Sequence, residues 1–428
     1  MKHTRMVLVA CFTVLVGVIV AFPATVLATN GMNLEGYGPI ATGMGGASMA
    51  YDNGAAAMMN NPATLSLMPE GNRLDVALGY LGPHVTAKVA TMPGIFDSDS
   101  TGTAYYMPAL GWVAKSGNTS YGLGMFAQGG MGTQYEAGSF LDAGSGELVR
   151  SEVSVGRLLV PLAYDISPSF KIGGSFDFVW AGMDIKMAIP GDDFMAMASG
   201  TSLSGRAGGS MVNILGNAIL GGMINVPNWT RFDFSNKSDF TGVANGTGVA
   251  GKIGAVYKAN DEVTLGFAYH SKTALSNLET EKATLSMNVS GAAIPGGAAI
   301  TIPVTGTIEI VKFEWPQMAG MGVSYKATNQ LMIVADYKWI NWKDVMKDFT
   351  MVFTSDLVQG SPAATMFGLG GQQVVATMYQ NWKDQNVFML GAAYAVNDMF
   401  TLRAGANIAN NPIPDLYLNP LFPAMIKN

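Results

Sequence analysis

From residue 72 onward the chain repeats one pattern: apolar side chains alternate with small or polar ones, and then the chain turns. In one such stretch Val263, Leu265, Phe267 and Tyr269 share a face, while Thr264, Gly266, Ala268, His270 and Lys272 share the other. Leu331, Ile333, Ala335, Tyr337 and Trp339 alternate likewise with Met332, Val334, Asp336 and Lys338, and Ile172, Phe176, Phe178 and Trp180 with Ser175, Asp177 and Val179. A period of two is the mark of a strand with different surroundings on its two faces. An aliphatic and aromatic face opposite a small or polar one fits lipid outside and a polar lumen inside. Beyond the first residues no apolar run is long enough for a transmembrane helix.

The connections sharpen this reading. Short ones fall at Ser116-Gly117-Asn118, Ser167-Pro168, Ala259-Asn260-Asp261, Ala327-Thr328-Asn329 and Val396-Asn397-Asp398. Between them lie the long stretches 91–101, 129–150, 190–247, 283–301 and 355–384. Short periplasmic turns alternating with long extracellular loops are the rhythm of an outer-membrane barrel. A soluble sandwich has no reason to keep its long loops at one end. The fold class expected is therefore all-β, a transmembrane antiparallel barrel in the outer membrane of a Gram-negative bacterium.

The first residues support export. Lys2 and Arg5 precede the apolar stretch 6–22, and Val26-Leu27-Ala28 offers a small-residue cleavage pattern, so residues 1–28 read as a signal peptide. Leu8-Val9-Ala10-Cys11 resembles a lipoprotein box, but too few apolar residues precede it. Cys11 is the sole cysteine, so cleavage leaves a chain without thiol or disulfide chemistry. Charged residues make up only 13% of the sequence and the net charge is −6, which gives nucleic acid nothing to bind.

Ahead of the first strand lies 37–67, YGPIATGMGGASMAYDNGAAAMMNNPATLSL, with Asp52 as its only charge. Such a stretch holds too little apolar bulk to build its own core. In front of a barrel it reads as a plug packed inside the lumen, giving a plug over 29–71 and a barrel over 72–428. Strands are expected near 72–90, 102–115, 119–128, 150–166, 169–189, 248–259, 262–282, 302–326, 330–354, 385–396 and 398–408. Bacterial single-chain barrels close with an even number, so this odd count implies either that roughly three C-terminal strands are missing or that two strands have been merged.

These residues resemble the FadL-type transporters of long-chain fatty acids and, in some members, toluene-like hydrocarbons. The likeness is carried by Gly43-Met44-Gly45-Gly46-Ala47 leading into Asn60-Asn61-Pro62-Ala63-Thr64-Leu65, by the strand KIGGSFDFVWAGMDIKM, by Glu314-Trp315-Pro316, and by Pro412-Ile413-Pro414-Asp415 with Asn419-Pro420-Leu421-Phe422-Pro423-Ala424. The order of residues at Glu314-Trp315-Pro316 departs from the family's. The resemblance implies a monomeric barrel of fourteen strands, about eleven of them present here, plugged by an N-terminal hatch. It also implies capture of cargo among extracellular loops and exit through a wall opening at a kinked third strand. Gly122, Gly124, Gly129 and Gly130 are candidates for the kink.

Three sets of residues are candidates for function. In the loop 190–247, Met211, Ile214, Leu215, Ala218, Ile219, Gly222 and Met223 recur at helical spacing, with Met195, Met197 and Ile224 nearby. An extracellular segment this apolar either packs on other loops or binds something greasy, and methionine suits variable apolar ligands. The groove expected here comprises Met195, Met197, Met211, Ile214, Leu215, Ile219 and Met223. By strand parity Arg157, Lys338 and Arg403, with His270 and Lys272, point into the lumen. The first three could hold a ligand carboxylate, or could pair with lumenal carboxylates such as Asp177 and Asp336. In the plug, Asn61, Pro62 and Ala63 form the third set: Pro62 fixes the backbone, Asn61 is pushed toward extended geometry, and its amide can bond neighbouring backbone.

Trp112, Trp180, Trp315, Trp339, Trp342 and Trp382 are expected in interfacial girdles or loop bases. No nucleophile motif, metal spacing or phosphate loop is visible, so neither catalysis nor a cofactor is expected. The function expected is passive uptake of hydrophobic compounds, with long-chain fatty acids first, aromatic hydrocarbons such as toluene as the alternative, and a general diffusion porin behind both. The partners expected besides cargo are outer-membrane lipid and lipopolysaccharide.

Overall fold

The computed structural model describes residues 29–89, 96–236, 242–294 and 296–419. The expected signal peptide and the last residues of the Pro-rich ending lie outside them. Eleven antiparallel strands form a continuous wall: β1 (Gly71–Leu81), β2 (Tyr105–Ser116), β3 (Thr119–Tyr135), β4 (Val149–Asp165), β5 (Phe170–Pro190) and β6 (Ala244–Lys258), then β7 (Val263–His270), β8 (Met318–Lys326), β9 (Leu331–Ile340), β10 (Gln385–Ala395) and β11 (Thr401–Ala409). Each pairs with the next in chain order. Each expected strand overlaps one of them, although β3 runs seven residues past its expected end at 128.

The wall's two faces follow the alternation. Leu74, Val76, Leu78, Leu158, Val160, Leu162, Phe267, Met321, Phe388 and Leu402 are exposed on the outer face. Aromatic pairs lie across neighbouring strands there, Tyr80 with Tyr106 and Trp112 with Tyr121. The inner face carries many glycines and a few charged groups. No described helix is long and apolar enough to cross a membrane.

The extracellular side departs from the expectation. The stretch 302–326 is not one strand: Ile300–Val311 ends at Lys312, whose φ is +56°, and β8 starts only at Met318. The stretch 330–354 likewise divides into β9 and Asp348–Ser355, and 262–282 into β7 and two short strands. The expected loops 283–301 and 355–384 contain the strands Ala283–Val289 and Gln373–Tyr379. Two of the corners are themselves apolar, with Phe313 and Trp315 buried at one and Trp342, Val345 and Met346 at the other, because the chain leaves the lipid only to enter another packed layer.

That layer is a cap. From the top of β5 the pairing continues through Trp229–Phe234, Ala283–Val289, Ile300–Val311, Asp348–Ser355, Gln373–Tyr379 and Gly205–Gly208. Helices α1 (Gly191–Ser199) and α2 (Ser210–Leu220) pack on it. A membrane strand needs about 9–11 residues; β4 has 17 and β5 has 21, so both extend well beyond the hydrocarbon to carry the cap.

Candidate functional site

Residues 30–68 fill the interior of the wall as a hatch and are mostly buried. They form little regular structure of their own, so their backbone groups are met by side chains from the strands. The Asp336 carboxylate on β9 accepts the amides of Ser48 at 2.5 Å and Met49 at 2.9 Å. Asp75 on β1 accepts the Ala55 amide at 2.6 Å, and Arg73 grips Asp52 through two hydrogen bonds of 2.6 and 2.8 Å. On the far side Asn407 of β11 donates to the Gly45 carbonyl at 3.2 Å. Buried backbone left without such partners would be costly.

Glycines of the wall make room for this contact. A methyl group at Gly266 would overlap the Met49 carbonyl, and one at Gly405 would overlap the backbone at Met44. At Gly173 it would stand 2.6 Å from the Ala63 amide nitrogen. The small face of each strand is therefore the seat of the hatch.

Asn61 and Pro62 behave as their chemistry dictates. Asn61 is extended, at φ −131° and ψ 104°, and its side chain caps the short helix Pro62–Leu67 by accepting the Ala63 amide at 3.1 Å. Its amide donates to Met49 at 2.7 Å and to Ala255 of β6 at 3.3 Å. Next to it, the Asn60 carbonyl lies 2.7 Å from Nε2 of His270.

The third strand carries an irregularity. Between Ala127 and Gly129 the β3–β4 register shifts, leaving Gln128 as an extra residue. Of the four glycines considered for the kink, Gly129 adjoins it. The hatch covers this point: Asn33 pairs with Gly129, Gly130 donates to the Met32 carbonyl at 3.0 Å, and the Tyr37 hydroxyl donates to the Gln128 carbonyl at 2.8 Å.

The lumenal cations occupy three different environments. Arg157 is 2% exposed and fully engaged, with Asp177 at 2.8 Å, Thr273 at 2.8 Å and the Gln128 side chain on its remaining nitrogen. Lys252 bonds the same Asp177 carboxylate, which also accepts Ser175 at 2.5 Å. Two cations thus share one buried anion, an arrangement that fixes position more than it adds stability. Lys252 is not among the expected lumenal cations, although strand parity places it on this face. Lys338 is buried and makes no hydrogen bond among the described residues; it lines a small inner cavity with Tyr37, Met49, Met59, His270 and Met318. Arg403 is exposed and lies along Gly43 of the hatch.

Of the loop residues, Ile214 and Leu215 of α2 line a second cavity within the cap, with Ala218 and Ile224 beside them. Its far wall is Met287, Val289, Ile302, Phe367 and Leu369. Met211 and Met197 are buried in the cap core, while Met195 and Ile219 are partly buried against it. Met223 is 48% exposed and stands outside the cavity lining. The far wall was missed because its residues fall in stretches read as loop or membrane strand. The tryptophans separate as well: Trp112 is exposed on the outer face, whereas Trp315, Trp342 and Trp382 sit at loop bases but turn inward and are fully buried.

Comparison with known proteins agrees with this architecture. The toluene transporter TodX of Pseudomonas putida is 27% identical at a TM-score of 0.73, over 88% of this chain and 84% of that one. The toluene transporter TbuX of Ralstonia pickettii is 29% identical at 0.71, over 89% and 88%. A Pseudomonas aeruginosa FadL homologue shares the fold at 16% identity and 0.59, over 92% and 84%. An uncharacterized protein from the 5′ region of a Chlorobium limicola phosphoenolpyruvate carboxykinase gene is 52% identical over 71 residues, 17% of this chain and 32% of that protein. The match thus spans about a third of that relative's length. The model of the outer membrane protein transport family (OMPP1/FadL/TodX) matches residues 20–424. A hatch seated in an outer-membrane barrel, below an apolar cap, belongs with that match: the chain is a member of the FadL/TodX family of outer-membrane transporters of hydrophobic compounds.

Proposed function

We propose that the chain is a passive channel for small neutral aromatic hydrocarbons, placing these ahead of the long-chain fatty acids that the sequence reading puts first. The observation that carries this is the cap cavity, whose nine lining residues are all apolar. A cargo with a charged head would lose hydration there without gaining a partner. Arg157, the first candidate to read a carboxylate, already holds Asp177, Gln128 and Thr273. The resemblance to two toluene transporters at 27% and 29% identity supports the same choice. Cargo enters the cap by partition, passes the hatch, and is drawn onward by dilution or consumption below.

The test is uptake of labelled toluene and labelled oleate by cells that depend on this channel. Toluene uptake that saturates and falls when Leu215 is replaced by Ser is expected. Saturable uptake of oleate alone would overturn the reading.

A second reading rests on Lys338. A buried ammonium without a hydrogen bond, on a cavity otherwise rich in methionine, suits the carboxylate of an amphipathic cargo. On that reading Lys338→Met abolishes oleate binding and leaves toluene binding intact.

A further inference from the structure

The three inward tryptophans form a continuous stack. Trp315 precedes β8, Trp342 follows β9 and Trp382 precedes β10, so three neighbouring strands each deliver one indole at the same level. Trp315 and Trp342 meet edge to face with centroids 5.8 Å apart, and Trp342 and Trp382 do so at 5.2 Å. The stack reaches the opposite wall. The Trp315 indole nitrogen donates to Asn33 at 2.7 Å, Asn33 pairs with Gly129 of β3, and the Trp315 ring abuts Gly129 itself. Gly31, at φ +68°, lies so close to the Trp342 ring that a side chain there would collide with it. From β10 to β3 the lumen is therefore crossed by indoles and one strand of the hatch.

This septum lies between the two cavities. Ile302 lines the cap cavity; the strand from there to Val311 covers roughly 30 Å, the chain turns at Trp315, and Met318 lines the inner cavity. Trp342 donates to Gln385 at 3.2 Å, but the Trp382 indole nitrogen, on a residue 2% exposed, finds no acceptor among the described residues. A buried donor left unmatched is a standing cost that an arriving group could remove.

We propose that Trp315, Trp342 and Trp382 are the selectivity barrier of the channel, a subsite for aromatic rings. Passage requires one edge-to-face contact to open. A ligand ring replaces that contact and offers its π face to the Trp382 N–H, whereas an alkyl chain does neither. The barrier thus discriminates between arene and alkane of equal size. This rests on the reading of the chain as a hydrocarbon channel.

The experiment compares uptake of toluene and n-heptane by cells whose outer membranes hold equal amounts of the folded full-length protein. The wild type should favour toluene by roughly two- to tenfold. Trp342→Leu should bring that preference close to one by slowing toluene. Trp382→Phe sacrifices no hydrogen bond among the described residues, so it should fold normally and lower the preference about twofold. An unchanged preference in Trp382→Phe and Trp342→Leu, or an equal loss of both cargoes, would overturn the subsite. A wild type carrying both cargoes equally also overturns it while leaving the channel standing. A wild type carrying neither removes the channel reading and the subsite together.

Discussion

The hatch and the extracellular cap both obstruct the same lumen, yet their cohesion has opposite origins. The hatch is small-residue backbone held at separate points by strand side chains, among them Asp336, Asp75 and Asn407. The cap is an ordinary apolar core in which Leu215, Met287, Ile302 and Leu369 face one another. Polar anchors with fixed geometry determine where a segment sits; apolar packing tolerates exchange of volume and opens around a guest. The barrel thus keeps a positioned element inside and a yielding one outside.

The contrast can be broken by forcing bulk into the hatch seat. Gly266→Val puts a branched side chain into the Met49 carbonyl. It should displace the hatch at a cost of about 3 kcal/mol or more, read as protease cleavage within 37–67 of an otherwise intact barrel. In the cap, Leu215→Ala should cost about 2–4 kcal/mol of local stability and leave hatch protection unchanged, a separation that hydrogen exchange can check. Asp336→Ala strands the Ser48 and Met49 amides and should loosen the hatch by about 2–3 kcal/mol, with no effect on exchange in α2. The smallest effect concerns pH. Burial holds the Glu35 carboxyl of the hatch above its ordinary value. Its folded form therefore binds protons more readily than its unfolded form, so the contribution to hatch stability is greatest in acid and is lost as pH rises through the folded value. Glu35→Gln should flatten that dependence when hatch protection is followed from pH 4 to 7.

The wall was legible because lipid on one face imposes a strict period of two, and every β1–β11 strand overlaps an expected one. The cap was not. Around Lys312 and again after Ile340 the alternation passes from lipid to cap core without a change of composition, so two strands read as one. Helix α2 was readable from its spacing, but its partners Phe367 and Leu369 were not, since contact across a fold leaves no local period. Parity gave the inward direction of Arg157; it could not reveal that Asp177 serves Arg157 and Lys252 together. For the tryptophans, a position at a loop base is compatible with either direction, and only the structure distinguishes girdle from interior.

The point-by-point attachment of the hatch has a mechanical consequence. A strand within a ladder resists pulling as a row, because neighbouring hydrogen bonds share the load and fail together. Asp336, Asp75 and Asn407 instead hold the hatch at separate points, Met49, Ala55 and Gly45, and Asn61 adds a contact to Ala255 of the wall. A force applied at residue 30 would meet them one after another, so the hatch would peel in small steps while the wall strands kept their register.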